Sequence, residues 1–317
     1  MPGITVPLYL APMDDVTDKA FRILCKEHGA DGVYTEFVAA ESLIRDVKKS
    51  FTKITFSEDE RPIGIQIFGN NIPSMQQAAL IAQKLKPDEI NISCGCPVKK
   101  IVSKNCGAAL LKDPDKLIEI IKKVVNIVDI PVTVKTRLGW DDNSIIIEEL
   151  VQKLQDIGVK KVIIHARTKV QMYSGEVKLD YLKKIKENKN IKIPIIGNGD
   201  VYDLETALKM QDTGVDGIMI GRAAIGHPWI FNDLKNNVSD RKNINEIIYI
   251  VKKHLAMAND YFGERYALIS LKKHYANYFK NINNSKNFRI KLMNAQTIKE
   301  ILELLDICTF LLKRRRG

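Results

Sequence analysis

The chain has 317 residues, 45% of them hydrophobic and 27% charged, and carries a formal net charge of +11. That is ordinary globular composition, which excludes a disordered or fibrous chain and is long enough for a large core without disulfides. No stretch approaches the ~18 apolar residues of a membrane span, and the opening MPGITVPLYLAPMDD lacks the parts of a signal peptide. The five cysteines (Cys25, Cys94, Cys96, Cys106, Cys308) follow no framework spacing, so a cytoplasmic chain with reduced thiols is expected.

Eight short Val/Ile-rich runs recur along the chain, at 8–13, 32–37, 63–68, 89–93, 132–136, 161–165, 193–197 and 217–220. Each ends in polar residues or glycine, the pattern of strands in a buried parallel sheet. The segments between them read as helices. In 18–28, Ala20, Ile23 and Leu24 share one face. Segments 74–85 and 113–128 follow the same period, and the second opens on Asp113-Pro114, an N-cap followed by proline at the first helical position. Segment 144–157 stops at Gly158, and 203–211 ends shortly before Gly214. Eight strands alternating with helices over about 230 residues predict an α/β fold, a (β/α)8 TIM barrel. A doubly wound sheet shares this alternation and differs in strand order.

The pattern changes after Trp229-Ile230-Phe231. Residues 240–317 hold no strand-like run, and 244–257, 266–279 and 297–312 read as helices, with an Asn-rich linker at 281–287 and a basic tail at 313–316. The expected division is a barrel over 1–239 and a small all-helical domain over 240–317. Residues 231–317 carry 17 Lys+Arg against 8 Asp+Glu, a balance of +9, whereas the rest of the chain is at +2. Either a polyanion partner or a solvated basic face accounts for that asymmetry.

In a barrel the C-terminal strand ends build the active site. Here those ends carry Ala11-Pro12-Met13, Gln66, Ser93 to Pro97, Lys135 with Arg137, His165 with Arg167, Asn198-Gly199-Asp200 and Gly221-Arg222. The glycines and Arg222 at strands seven and eight suit a phosphate, since glycine lets backbone N–H groups approach and arginine adds charge-assisted bonds. Lys135 and His165, at strands five and six, suit the negative charge of a reduced flavin ring. Cys94-Gly95-Cys96-Pro97 has no second pair to complete a four-ligand metal set, so no metal is expected. A thiol of ordinary pKa is mostly protonated at neutral pH, so Cys96 can deliver a proton. Cys25, Cys94 and Cys106 are expected as small buried hydrophobes.

Taken together, the motifs resemble those of a bacterial dihydrouridine synthase of the B-type branch. The motifs are LAPMDDVTD (10–18), IQIFG (65–69), CGCPVKK (94–100), GAALL (107–111), VTVKTRLGW (132–140), IIHARTKVQMYSG (163–175), IIGNGDV (195–201) and GIMIGRAAIGHPWIF (217–231). The resemblance implies FMN at the barrel mouth, NADPH as electron source and tRNA as substrate, with a D-loop uridine reduced at its C5–C6 bond. It implies that Pro12, Met13, Gln66, Lys135 and His165 surround the flavin ring. Asn198, Gly199, Asp200, Gly221 and Arg222 would hold its ribityl and phosphate groups. Cys96 would be the general acid, Arg137 and Tyr173 would touch the uracil, and Lys104 would approach the RNA. The family's usual asparagine three positions before the cysteine is replaced by Ser93, and either Asn91 or a water would supply that contact. Lys252, Lys253, Lys272, Lys273, Lys280, Arg289 and Lys291 are the cations expected near phosphates, while Tyr275 and Tyr278 are expected to pack. Two other readings are a flavin enzyme acting on a free pyrimidine, and a non-catalytic tRNA-binding protein on the same barrel. The basic tail and the CGCP motif argue against the first. The retained Cys96, Lys135, His165 and Arg222 argue against the second.

Overall fold

Every one of the eight runs contains a strand, because short β-branched segments buried on both faces satisfy their backbone only by pairing with one another. The computed structural model describes residues 3–237, 242–280, 282 and 285–313. The strands are β1 (Leu8–Leu10), β2 (Val33–Tyr34), β3 (Val38–Ala39), β4 (Ile63–Phe68), β5 (Glu89–Ser93), β6 (Val132–Arg137), β7 (Val162–His165), β8 (Ile195–Asn198) and β9 (Gly217–Ile220). All pairs are parallel, in the order β1-β9-β8-β7-β6-β5-β4-β2, with β3 also on β4. Tyr9 bridges Gly32, and the Leu10 N–H donates to the Gly32 carbonyl at 3.0 Å. That bridge joins β1 to the segment leading into β2 and closes the ring. An open doubly wound sheet would leave two edges here, so the fold is a (β/α)8 barrel.

The run at 32–37 is not one strand. The Thr35 hydroxyl accepts the Gln66 N–H at 3.1 Å, and the Glu36 carboxylate accepts the Asp15 N–H at 2.5 Å. The Thr35 N–H still donates to the Gly64 carbonyl at 2.9 Å, and beyond it the ladder lapses until pairing resumes at β3.

Helix starts follow their capping chemistry. Asp18, Asp113 and Asp203 accept the N–H of Phe21, Lys116 and Thr206, opening helices Lys19–Glu27, Pro114–Val125 and Leu204–Gln211. Asn71 opens Ile72–Lys84, two residues before the expected start. The segment at 144–157 begins its helix only at Ile147, since Ser144 and Asp141 form a turn and Ile145 bridges Gly139.

Beyond the barrel lie helices Ile244–Phe262, Glu264–Ser270, Lys272–Tyr278, Lys286–Asn294 and Ile298–Lys313. The expected single helix at 266–279 is broken at Leu271. A helix begins inside the expected linker at 281–287, of which 281, 283 and 284 lie outside the described residues, as do 314–316 of the basic tail. These helices lean on Lys19–Glu27. The rings of His254 and His274 lie 5.6 and 4.5 Å from that of Phe21, and Tyr275 and Tyr278 are buried. One hydrophobic cluster runs from the barrel through Val251, Leu255 and Phe279. Gly226, at φ +64°, sits in this seam, where a Cβ would lie 2.5 Å from the His274 carbonyl. Among the described residues no helix is long and apolar enough to cross a membrane.

Candidate active site

Side chains alternate along a strand, so every second residue points into the barrel. A lower inward layer is apolar, with Ala11, Ile163, Ile196 and Met219 clustered on Tyr9 and Tyr34. Towards the C-terminal ends of β6, β7 and β8, the inward positions include Lys135, His165 and Asn198. They meet an 840 Å³ cavity at the C-terminal face.

Nine of the ten residues expected around a flavin line that cavity: Pro12, Met13, Lys135, His165, Asn198, Gly199, Asp200, Gly221 and Arg222. Lys135 Nζ donates to Asn198 Oδ1 at 3.2 Å, and Asn198 Nδ2 donates to the Met219 carbonyl at 2.8 Å. Burial, with Arg137 nearby, lowers the Lys135 pKa to about 8. His165 is held neutral by burial and by the surrounding cations Arg137, Lys135, Arg167 and Arg222. Its buried Nε2 has no partner.

The far end of the cavity is cationic. Arg167 is 1% exposed, and its guanidinium grips both carboxylate oxygens of Asp200 and the carbonyls of Ser174 and Gly175. Arg222, 57% exposed at its side chain, pairs with Asp200 at 2.9 Å. Asp200 therefore reaches the cavity with its carboxylate committed to two arginines, which hold its pKa below the usual range, Arg167 first. A carboxylate repels a phosphate, so its role there runs through the arginines it orients. Arg167, named at its strand end but given no role there, is the residue whose part sequence reasoning missed. Its signal was its place two residues beyond His165.

Gln66 is not at the cavity. Its Nε2 donates to Asn91 Oδ1 at 2.6 Å, Asn91 Nδ2 donates to Thr133 Oγ1 at 2.8 Å, and that hydroxyl donates to Glu89 Oε1 at 3.0 Å. Gln66 and Asn91 thus belong to a buried chain across β4, β5 and β6. Ser93 lies one inward layer higher, in register with Lys135. Arg137 is buried, with Nε on the Gly95 carbonyl at 2.9 Å and Nη1 on those of Thr168 and Met172 at 2.9 and 2.7 Å. Nη2 is the one guanidinium nitrogen not given to a backbone carbonyl. Tyr173 is exposed and lines the cavity, its ring centroid 5.4 Å from the Arg137 guanidinium carbon and 5.0 Å from that of Arg222.

Cys96 is half-buried beside this group. Burial raises its thiol pKa, while the Val98 backbone and then Lys135 and Arg137 pull the other way. Lys104 is exposed in the following loop, its carbonyl accepting from Asn70 at 2.8 Å, away from the cavity. Cys25, Cys94 and Cys106 are buried thiols. Asp14, Asp15 and Glu36 converge at the rim, and the Lys53 ammonium pairs with all three. Of the cations expected near phosphates, Lys252 pairs with Asp306 and Lys253 with Glu27, both at 2.6 Å. Lys273 donates to the Asp15 carbonyl and Arg289 to that of Ala276.

The Dihydrouridine synthase (Dus) family matches residues 9–313. The chain is 35% identical to a probable tRNA-dihydrouridine synthase of Aquifex aeolicus, covering 94% of each. It is 36% identical to tRNA-dihydrouridine synthase B of Vibrio parahaemolyticus, covering 89% of each, and 34% identical to the B enzyme of Pseudomonas syringae, covering 89% and 85%. Among solved structures it is similar to a mandelate oxidase at a TM-score of 0.47 and 12% identity, over 72% of this chain and 69% of that one. Matches of this length, running through the barrel and into the final helix, mean that the chain belongs to the dihydrouridine synthase family, among its bacterial B-type members.

Proposed function

We propose that this chain reduces a uridine in the D-loop of tRNA to 5,6-dihydrouridine, as a cytoplasmic FMN enzyme that takes its electrons from NADPH. The observation that carries the reading is the 840 Å³ cavity of a dihydrouridine synthase family member, cationic at strands eight and nine and floored by Lys135, His165 and Asn198. The residues fit FMN. The buried, unpartnered Nε2 of His165 offers a polar atom to a ligand. A Cβ at Gly221 would meet only Ala11 and Met13, at 3.5 and 3.6 Å, and would otherwise fill cavity. Arg222 and the backbone at Gly199 and Gly221 would hold the phosphate and ribityl groups, with Arg222 set by Asp200. Pro12, Met13, Lys135 and His165 would face the ring. When bound, the cofactor supplies hydride to C6 of the base.

The chain's own groups supply the rest. Cys96 keeps its proton at neutral pH because burial raises its pKa, and it would protonate C5 from the face opposite the hydride. Negative charge developing toward the C4 carbonyl would be met by Arg137, through Nη2, beside Tyr173. Ser93, above Asn91, would supply the polar contact on the strand before the cysteine. Lys104 would stand where the RNA enters. A stacked base cannot reach this cavity, so the uridine must be flipped out. Residues 240–317 would form the tRNA-binding part, where, among the described residues, Lys272, Lys280 and Lys291 of the expected cations have no acidic partner.

The test is dihydrouridine mapping on tRNA from cells with and without this gene, beside the flavin-loaded protein acting on unmodified tRNA. Loss at one D-loop position, restored by the protein, is expected. Unchanged dihydrouridine at every position, together with an inert protein, overturns the reading.

A further inference from the structure

A second cationic surface lies on the barrel, away from the helical tail. Trp140 follows β6 on the face that carries the cavity. Lys112 Nζ lies 3.8 Å from its ring centroid and Lys169 Nζ lies 4.4 Å from it. Lys112 ends the turn Gly107–Lys112, and Lys169 follows β7. Three successive loops therefore meet at one half-exposed indole. The backbone fixes the meeting, since Lys169 N–H donates to the Gly139 carbonyl at 3.0 Å and Val170 N–H to that of Trp140 at 2.9 Å. The same loop continues through Met172, whose carbonyl Arg137 holds, to Tyr173 at the cavity.

Two ammonium groups brought against one ring repel each other. Among the described residues, neither is paired with a carboxylate, and nor are the neighbouring Lys99, Lys100, Lys104 and Lys116. Several lysines elsewhere, among them Lys153, Lys186, Lys209, Lys252 and Lys253, have acidic partners. Beside Trp140 a 280 Å³ hollow is walled by Asn105, Lys112 and Lys116. Its one acid, Asp113, has Oδ1 taken by the Lys116 N–H as a helix cap. The hollow is smaller than the ~300 Å³ at which small-molecule pockets begin, a size for a phosphate or one base edge. Unpaired cations around a partly open aromatic ring match the chemistry of a nucleic-acid strand, which offers phosphates and π-faces together.

The geometry points to Trp140, Lys112 and Lys169 as an RNA-docking surface that engages a strand of the tRNA next to the one entering the cavity. The inference rests on the proposed tRNA reduction. It assigns to the barrel a share of the grip that overall charge places in the tail.

The test measures tRNA binding by the full-length, flavin-loaded protein as a function of salt. Lys112→Gln/Lys169→Gln removes two phosphate partners and should lower the slope of log K against log salt by about 1.4–1.8, with at least a tenfold loss of affinity near physiological salt. Trp140→Leu should cost about 5- to 100-fold. NADPH oxidation without tRNA should stay at the wild-type rate in both, which also shows that the barrel is intact. Lys183→Gln/Lys184→Gln on helix Leu179–Glu187 removes the same charge elsewhere and should change affinity less than threefold. Wild-type affinity and slope in the Lys112/Lys169 variant overturn the surface, as does an equal loss in the Lys183/Lys184 control. If the wild type itself does not bind tRNA, the functional reading and this surface fall together. If only the variants match the wild type, the surface alone falls.

Discussion

Two glycines line the same cavity, and an added methyl group separates their roles. Gly199 has φ +126°, where an L side chain is strained by about 1–3 kcal/mol. Its Cβ would also lie 2.8 Å from Val177 Cγ1 and 3.1 Å from His165 Cδ2. The buried imidazole can yield little, so Gly199→Ala is a stability lesion in the protein itself. At roughly 2 °C per kcal/mol for a chain of this size, Tm should fall by about 2–6 °C without any ligand. The space at Gly221 is freer, since its Cβ would meet Ala11 and Met13 only at ordinary contact distance. Gly221→Ala, free of such a clash, should therefore lower the ligand-free Tm less than Gly199→Ala does. A methyl group forced into a filled site costs about 1–3 kcal/mol, so FMN affinity should drop by roughly 5- to 150-fold. Thermal scans with and without FMN, and a flavin fluorescence titration, read both quantities. Wild-type FMN affinity in Gly221→Ala would refute the placement of the cofactor against this turn, and a ligand-free Tm as low as that of Gly199→Ala would refute the steric contrast between the two glycines.

Cys96→Ala should retain FMN and NADPH oxidation but lose most dihydrouridine formation, and full activity on tRNA would remove the thiol from the mechanism. Because burial raises that thiol above its ordinary value, wild-type product formation should hold through neutral pH and decline only at a pH above that at which an ordinary thiol ionises, which a pH–rate profile checks. Lys135, with its pKa lowered to about 8, is a cation below that pH and neutral above it. The rate of flavin reduction should show an inflection near there that Lys135→Gln lacks. Arg22 and Glu60 form a buried pair at 2.6 Å, and Arg22 also holds the Thr17 and Thr55 carbonyls. Arg22→Ala should cost about 3–5 kcal/mol by leaving Glu60 uncompensated, measured by denaturant unfolding.

Periodicity located Lys135, His165, Asn198 and Arg222 because a strand states its inward face every second residue and its end by a glycine or a charge. Depth within the barrel was less legible. Asn91 and Ser93 share a face, yet only a neighbouring strand reveals that the Asn91 amide is spent on Gln66 and Thr133. Asp200 was placed at the cavity from its motif, but its two arginine partners lie 33 and 22 residues away. The same long reach hid the pairing of Lys253 with Glu27, 226 residues apart, so net charge overstated the free cations of the tail. The break in the 32–37 run arose from Thr35 and Glu36 bonding to Gln66 and Asp15, partners that pattern alone does not name.

The seam at Gly226 bears on how such chains can be rebuilt. Phe21 of the first barrel helix is covered by His254 and His274, and the Gly226 N–H donates to His274 Nδ1 at 3.2 Å. Barrel and tail thus share one lock whose pieces come from three distant stretches of chain. A tail transplanted from a relative would have to arrive with its own first helix and its own glycine turn. Recombination that respects only the boundary near residue 240 would pair mismatched halves, so breakpoints in viable chimaeras should fall between βα units and spare this seam.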